Sequence, residues 1–274
     1  MKHVAPRLGV GLGLRAPLYP HIMNNKPGID FLEVLTDQYI YATPDKIEQL
    51  LETGKHFPLI PHSVGMSLGT DWPVNEDYFQ RTLDLVERLG ACWFSDHLSF
   101  IKTSEVDIGQ LTPLWFTEES LEVVCRNVNH VKAKTDRLFL LENITYYFPI
   151  PLNEMTEAEF ISRVLEKTDC GMLLDVNNVY INSVNLGYDP YEFLKSIPLD
   201  RVVQAHIAGG IRVRGITVDT HGAAVPKEVW DILRYVVNNS PVKGILLERD
   251  SNFPAFQELL DELDYARQIF NGGN

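Results

Sequence analysis

Cysteine is scarce in this 274-residue chain: Cys92, Cys125 and Cys170 are an odd set, without CxxC spacing and with apolar neighbours. That argues against a disulfide framework and against a thiolate metal site, and leaves buried free thiols as the expectation. Long apolar runs are missing too. None reaches the roughly 18 residues a membrane helix needs, and Met1-Lys2-His3-Val4-Ala5-Pro6-Arg7 has no apolar signal core, so a soluble, cytoplasmic protein is expected. Basic residues are few, 24 Lys and Arg against 37 Asp and Glu, a formal net charge of -13. Nucleic acid and anionic membranes are therefore not expected partners, because phosphate binding rests on Lys and Arg. A peptide or protein partner would be expected to carry basic residues. Ser/Gly-rich linkers, charge blocks and low-complexity tracts are likewise missing, so residues 1–274 read as a single domain.

What is present is a repeated grammar. Gly171-Met172-Leu173-Leu174 has no polar alternation and ends in Asp175-Val176-Asn177-Asn178, the pattern of a strand covered on both faces in a parallel sheet. Five other apolar runs stop in the same way, at His62, at Asp96-His97, at Glu142-Asn143, at His206 and at Glu248. One buried acid at a strand end usually hydrogen-bonds or caps a helix. Six such ends would carry six desolvation costs unless they converge on something that neutralises them, and a metal cluster does so. Three imidazoles with several carboxylates and no thiolate suit iron, manganese or zinc.

Taken in order, Leu8–Leu14 reads as a glycine-rich first strand rather than a dinucleotide loop, since no following helix or acidic partner fits. Glu33 interrupts the second strand and is best read as a hydrogen-bonded barrel acid. Asp96 and His97 are adjacent, so alternation sends them to opposite faces; His97 is the candidate ligand and Asp96 its neighbour. Residues 101–115 read as a long loop on the substrate side, and His130, among polar neighbours on a helix, as a surface histidine. Tyr146-Tyr147-Phe148 either lines a pocket or packs a loop. Asn182 and the turn Asn185–Pro190 lead to a short helix from Tyr191 to Ser196. Asp219 and His221, two apart in Val218-Asp219-Thr220-His221-Gly222, form a ligand pair if that segment is extended. Glu142, Asp175, Asp219 and Glu248 are thus candidate ligand carboxylates. Helical patterns intervene between the apolar runs, and eight strands alternating with helices indicate a (β/α)8 TIM barrel.

The ligand order resembles the xylose isomerase-like superfamily, and specifically the trinuclear layout of endonuclease IV. That resemblance implies one metal on His62, His97 and Glu142, and a second on Glu142, Asp175, His206 and Glu248, with Glu142 bridging. It implies a third on Asp219, His221 and the residue three after Asp175, a histidine in the nuclease pattern and Asn178 here. Glu142, Asp175 and His206 are the residues expected to carry catalysis. The wording Leu-Asp-Val-Asn-Asn-Val-Tyr-Ile-Asn at 174–182, Ala-His-Ile-Ala-Gly-Gly at 205–210, Val-Asp-Thr-His-Gly at 218–222 and Leu-Leu-Glu-Arg-Asp at 246–250 is similar to a narrower group. This is the DUF692 or UPF0276 family of multinuclear non-haem iron-dependent oxidases, with relatives in methanobactin assembly. The resemblance implies two or three mixed-valence iron ions and O2-dependent modification of cysteines in a small ribosomally made precursor peptide. It also implies a small partner protein that presents the peptide. The competing expectations are a zinc- or manganese-dependent hydrolase or isomerase of the wider superfamily, and a metal-binding module without turnover.

Overall fold

The computed structural model describes residues 5–71, 74–103 and 105–272. Its strands are β1 (Gly9–Gly13), β2 (Leu32–Leu35), β3 (Leu59–His62), β4 (Trp93–His97), β5 (Phe100–Lys102), β6 (Asp107–Thr112), β7 (Leu138–Glu142), β8 (Gly171–Asp175), β9 (Val202–Ile207), β10 (Ile211–Val213), β11 (Ile216–Val218) and β12 (Gly244–Leu247). The α-helices are α1 (Tyr19–Asn24), α2 (Pro44–Gly54), α3 (Glu76–Leu89), α4 (Glu118–Lys132), α5 (Glu157–Thr168), α6 (Val176–Leu186), α7 (Pro190–Lys195), α8 (Lys227–Asn239) and α9 (Phe256–Phe270). Eight strands close a parallel barrel in the order β1-β12-β9-β8-β7-β4-β3-β2, the TIM barrel that the alternating pattern predicts. Among the described residues no helix is long and apolar enough to cross a membrane.

Strand periodicity explains how the barrel separates packing from chemistry. Phe31, Ile60, Trp93, Leu138, Leu140, Leu173, Val203 and Leu246 form a closed apolar core of their own, inside the barrel. Two residues beyond the Ile60, Leu140, Leu173 and Leu246 members of that core stand His62, Glu142, Asp175 and Glu248. The inward columns therefore change from apolar floor to imidazoles and carboxylates as the strands approach their carboxyl ends. On β1 a side chain at Gly11 would lie 2.7 Å from the Phe31 ring, so glycine is what admits that ring to the floor. The alternate residues Phe94, Phe139, Leu141, Met172 and Leu174 belong to the larger core between sheet and helices.

The helices begin where the sequence offers caps. Asn75, Thr117 and Thr156 accept backbone N–H bonds at the starts of α3, α4 and α5. Two local expectations change. The stretch after Asp175 is a full helix, α6, with no loop before it, because Asp175 is itself the N-cap and Asn178 N–H donates to its Oδ1 at 2.8 Å. The loop expected over 101–115 contains the hairpin β5–β6, and a second hairpin, β10–β11, follows β9. The cysteines are free thiols, Cys125 and Cys170 buried and Cys92 partly so.

Candidate metal centre

The ends of β3, β4, β7, β8, β9 and β12 bring His62, His97, Glu142, Asp175, His206 and Glu248 together, all buried. His62 Nε2 and His97 Nε2 each lie 3.3 Å from Glu142 Oε2. On the other side of the same carboxylate, His206 Nδ1 is 3.5 Å from Glu142 Oε1 and 3.2 Å from Glu248 Oε2. These separations suit ligands better than hydrogen bonds: donors bound at about 2.0–2.2 Å to one tetrahedral ion stand roughly 3.3–3.6 Å apart. Glu142 thus touches both groups, one through each oxygen. Two sets, His62, His97 and Glu142, and Glu142, Asp175, His206 and Glu248, each have one donor atom per residue within 4.8 Å of the others.

Each imidazole has one nitrogen committed and the other turned to the carboxylates. His97 Nδ1 meets the Ser63 carbonyl at 3.1 Å, and that acceptor requires the proton on Nδ1, leaving Nε2 for the cluster. His62 Nδ1 pairs with Ser95 Oγ at 2.8 Å. His206 Nε2 donates to Glu33 Oε2 at 2.9 Å, and Gln204 also bonds that oxygen, so Glu33 is the hydrogen-bonded barrel acid its position indicated. His221 Nδ1 donates to Asp250 Oδ2 at 3.0 Å, while its Nε2 faces Asp219 Oδ1 at 2.8 Å. Carboxylates and carbonyls that fix imidazole tautomers in this way are characteristic of metal-ligating histidines.

Orphaned atoms point the same way. Glu142 Oε2, Asp175 Oδ2, Asn178 Oδ1 and His206 Nδ1 are buried and have no hydrogen-bond partner. For Asp175 the other oxygen is spent on the α6 cap, and for Asn178 the amide nitrogen donates to the Asn143 carbonyl at 2.9 Å. Leaving such atoms unpaired is costly unless a cation meets them. Asp96 takes the opposite face, as alternation predicts, and accepts from Met66 and His97 backbone N–H groups at 3.1 and 2.6 Å.

The electrostatics ask for positive charge. Burial, with Glu142 and Asp219 nearby, pushes the Asp175 carboxyl well above its usual range. Burial alone would raise Glu142 too, but His97, His206 and His62 hold it down at about 2. Burial lowers His97 to about 4, which favours the neutral, ligating imidazole. His206 goes the other way: burial opposes its charge, and Glu33, Glu248 and Glu142 overcome that and raise it. Arg15 supplies a buried guanidinium, donating to Asp250 Oδ1 at 2.6 Å and lying 3.6 Å from Glu248 Oε1. Arg15 is the one guanidinium described beside the carboxylates gathered here, Glu33, Glu142, Asp175, Asp219, Glu248 and Asp250, and the clustered donors could hold metal ions.

The outer group includes a residue that the sequence did not single out. Asp219 and His221 meet, although His221 has φ of 47° and the segment is not extended throughout. Asp250 joins them, and His221, Glu248 and Asp250 also lie within ligand distance of one another. Asp250, Arg15, Asn143 and Gln204 were missed in the sequence; the Glu248-Arg249-Asp250 spacing, which alternates an acid to the same side, was the available signal for the first. Tyr146 is buried and its hydroxyl donates to Glu157 at 2.7 Å, whereas Tyr147 and Phe148 are exposed, so the three aromatics split between packing and rim. His130 pairs with Glu76 on the surface, as its polar neighbours indicated.

A family model for the RiPP precursor modification enzymes MbnB/TglH/ChrH, which act on ribosomally synthesised, post-translationally modified peptides, matches residues 9–271. The chain belongs to this family. Its curated relatives include a UPF0276 protein of Caulobacter vibrioides, 34% identical over 266 residues, 97% of this chain and 95% of the relative. One from Acaryochloris marina is 33% identical over 94% of this chain and 93% of its own. Among solved structures, D-psicose 3-epimerase superposes with TM-score 0.60 at 13% identity, covering 96% of this chain and 99% of the enzyme. Endonuclease IV from Thermus thermophilus does so with TM-score 0.56 at 16% identity, covering 98% of each chain. At such identities these two likenesses speak for the barrel alone. Family membership implies an enzyme with a peptide substrate.

Proposed function

We propose that this family member is an iron-dependent oxidase that uses O2 to modify cysteine residues of a ribosomally made precursor peptide. The observation that carries the reading is the set of four imidazoles, each tied by one nitrogen and aimed with the other at shared carboxylates. His62, His97 and Glu142 would hold one iron, Glu142, Asp175, His206 and Glu248 a second, and Asn178, Asp219 and His221 a third, with zinc or manganese as the alternative ions. Bound there, iron would supply Lewis acidity toward a thiolate and the electrons that O2 chemistry needs. Glu142 holds two positions in fixed relation, Glu33 and Asp250 keep His206 and His221 in their ligating tautomers, and Arg15 steadies Glu248 and Asp250 from the side. The apolar floor beneath keeps water from entering the barrel below the ligands.

A small partner protein that grips the peptide would raise the local concentration of its cysteine at the mouth, to the mM range for a short tether. The free thiols suit a reducing cytoplasm. The fold is shared with epimerases and a nuclease, so a divalent-metal hydrolase or isomerase is the second reading. Metal analysis and Mössbauer spectra of anaerobically purified protein, followed by an assay for O2-dependent loss of peptide thiols, separate the two. Thiol loss with iron and none with zinc supports the oxidase; full activity with zinc and no O2 requirement overturns it.

A further inference from the structure

The hairpin β10–β11 lies between two parts of the centre, Ile211 following His206 by five residues and Val218 directly preceding Asp219. Val213 pairs with Ile216 across Arg214 and Gly215, both at positive φ, 51° and 91°, the tight two-residue turn whose twist matches its strands. In this register Ile211, Val213, Ile216 and Val218 share one face and Arg212 and Thr217 the other. Ile211, Val213 and Ile216 are 43%, 45% and 43% exposed, a β-branched face standing in water.

The two edges of the ribbon are treated differently. Arg212 and Thr217 oppose each other one step from the turn-closing pair, so the backbone groups of each point away from the ribbon. At Thr217 one side chain satisfies both: Asn185 Oδ1 accepts from its N–H at 2.9 Å and Asn185 Nδ2 donates to its carbonyl at 2.8 Å. At Arg212 no backbone or side-chain partner meets either group among the described residues, so β10 is an open edge, ready to template another strand. Arg212 and Arg214 are exposed, and among the described residues neither forms an ion pair, in a chain whose net charge is -13.

We propose that the open edge of β10 docks an extended, acidic segment of the peptide substrate as a third strand, with its backbone bonded to Arg212 and its carboxylates beside Arg212 and Arg214. The proposal rests on the peptide-modifying reading above and gives it a substrate chemistry. Backbone bonding supplies affinity without sequence choice, and the two arginines supply the choice. A bound stretch of about four residues spans roughly 13 Å, enough to run the length of β10 toward the root of the hairpin, where Asp219 and His221 begin. It departs from the expectation that an acidic protein selects a basic peptide, because the charge at this edge is locally positive.

Fluorescence anisotropy with the full chain, metals as purified, tests this with three labelled peptides of about seven residues. They are alternating valine–glutamate, alternating valine–lysine, and the glutamate peptide N-methylated at every second residue. The glutamate peptide is expected to bind at least about tenfold more tightly than either comparator, and Arg212→Glu with Arg214→Glu to reverse the charge preference. Equal affinity for all three, a preference unmoved by the double substitution, or no binding of the glutamate peptide below about 1 mM overturns the proposal. The N-methylated peptide probes the edge on unaltered protein, so a variant that misfolds leaves the test decided. A wild-type dimer in sedimentation that Arg212→Pro dissociates would assign the edge to a second copy and also overturn it. Binding needs no turnover, so failure of the iron chemistry would appear in the spectra and thiol assay and not here.

Discussion

The inner and outer ends of the ligand cluster are built on different principles. Inside, His62, His97, Glu142, Asp175, His206 and Glu248 are all at or next to strand ends, no more than 7% exposed. Their backbone positions are set by barrel pairing, for example His97 opposite Glu142 and Asp175 opposite His206. Outside, Asp219, His221 and Asp250 lie on connecting segments, and the side chains of Asp219 and His221 are 17% and 16% exposed. His221 also holds a left-handed φ of 47°, which costs on the order of 1 kcal/mol for a residue other than glycine. The inner candidate sites are preorganised by the sheet; the outer one depends on a loop staying where Asp250 holds His221 and where Asn177 Nδ2 donates to Asp219 Oδ1 at 3.0 Å.

The largest expected effect breaks the inner half. Glu142→Gln replaces a carboxylate that faces His62 and His97 with one oxygen and His206 with the other, and a neutral amide cannot serve both groups. Metal content is expected to fall at both inner positions and turnover to drop below detection; full metal content with normal turnover would end the bridging role. Next is Glu33→Gln, which removes the charge behind His206 and is expected to weaken the central site about 10–100-fold in competition with a chromophoric chelator. An unchanged affinity would reduce Glu33 to a packing role.

Stepwise chelation sharpens the comparison itself. The ion on Asn178, Asp219 and His221 should leave first, tracked by anomalous scattering from crystals at each stage; its retention after the inner ions have gone would reverse the ranking of rigid over loop-borne sites. A half-buried carboxylate away from the cluster gives a smaller effect. Burial lifts Glu157 to about 7 against the lowering influence of the Tyr146 hydroxyl. With an unfolded value near 4.3, its stabilising contribution is complete below about pH 4.3 and is lost as pH rises through about 7. Glu157→Gln should therefore gain on the wild type in denaturant-measured stability between pH 5 and pH 8, by on the order of 1–3 kcal/mol. A flat difference across that range would refute the burial argument. Smallest of all, His130→Ala should change stability by less than about 0.5 kcal/mol and leave metal content untouched, since its contact with Glu76 is a surface pair. Loss of metal there would show that the inner cluster extends to α4.

Much of the inner centre was legible because a parallel barrel writes it in local code. An apolar run that stops on His, Asp or Glu names both the strand and the end at which chemistry gathers, as Leu59-Ile60-Pro61-His62 and Leu138-Phe139-Leu140-Leu141-Glu142 do. Alternation separated His97 from Asp96 in the sequence, though not which of the two faces the cluster. The helix α6 was not legible: Val176-Asn177-Asn178-Val179-Tyr180-Ile181-Asn182 is rich in β-branched and Asn residues, poor helix formers, and only packing with the Asp175 cap makes it helical. The hairpin β10–β11 escaped for a related reason, since its three-residue strands are too short to show a period.

By itself, then, the chain determined its barrel, the inward placement of its candidate ligands and their order, because those follow from side-chain periodicity within single strands. Tertiary structure alone decided which groups serve those ligands. Glu33 reaches His206 across 173 positions, Arg15 reaches Asp250 across 235, and His221 reaches Asp250 across 29. Partnerships of that range arise from closure of β1 against β12 and β2, which brings the two ends of the chain to one mouth, and no local pattern records them.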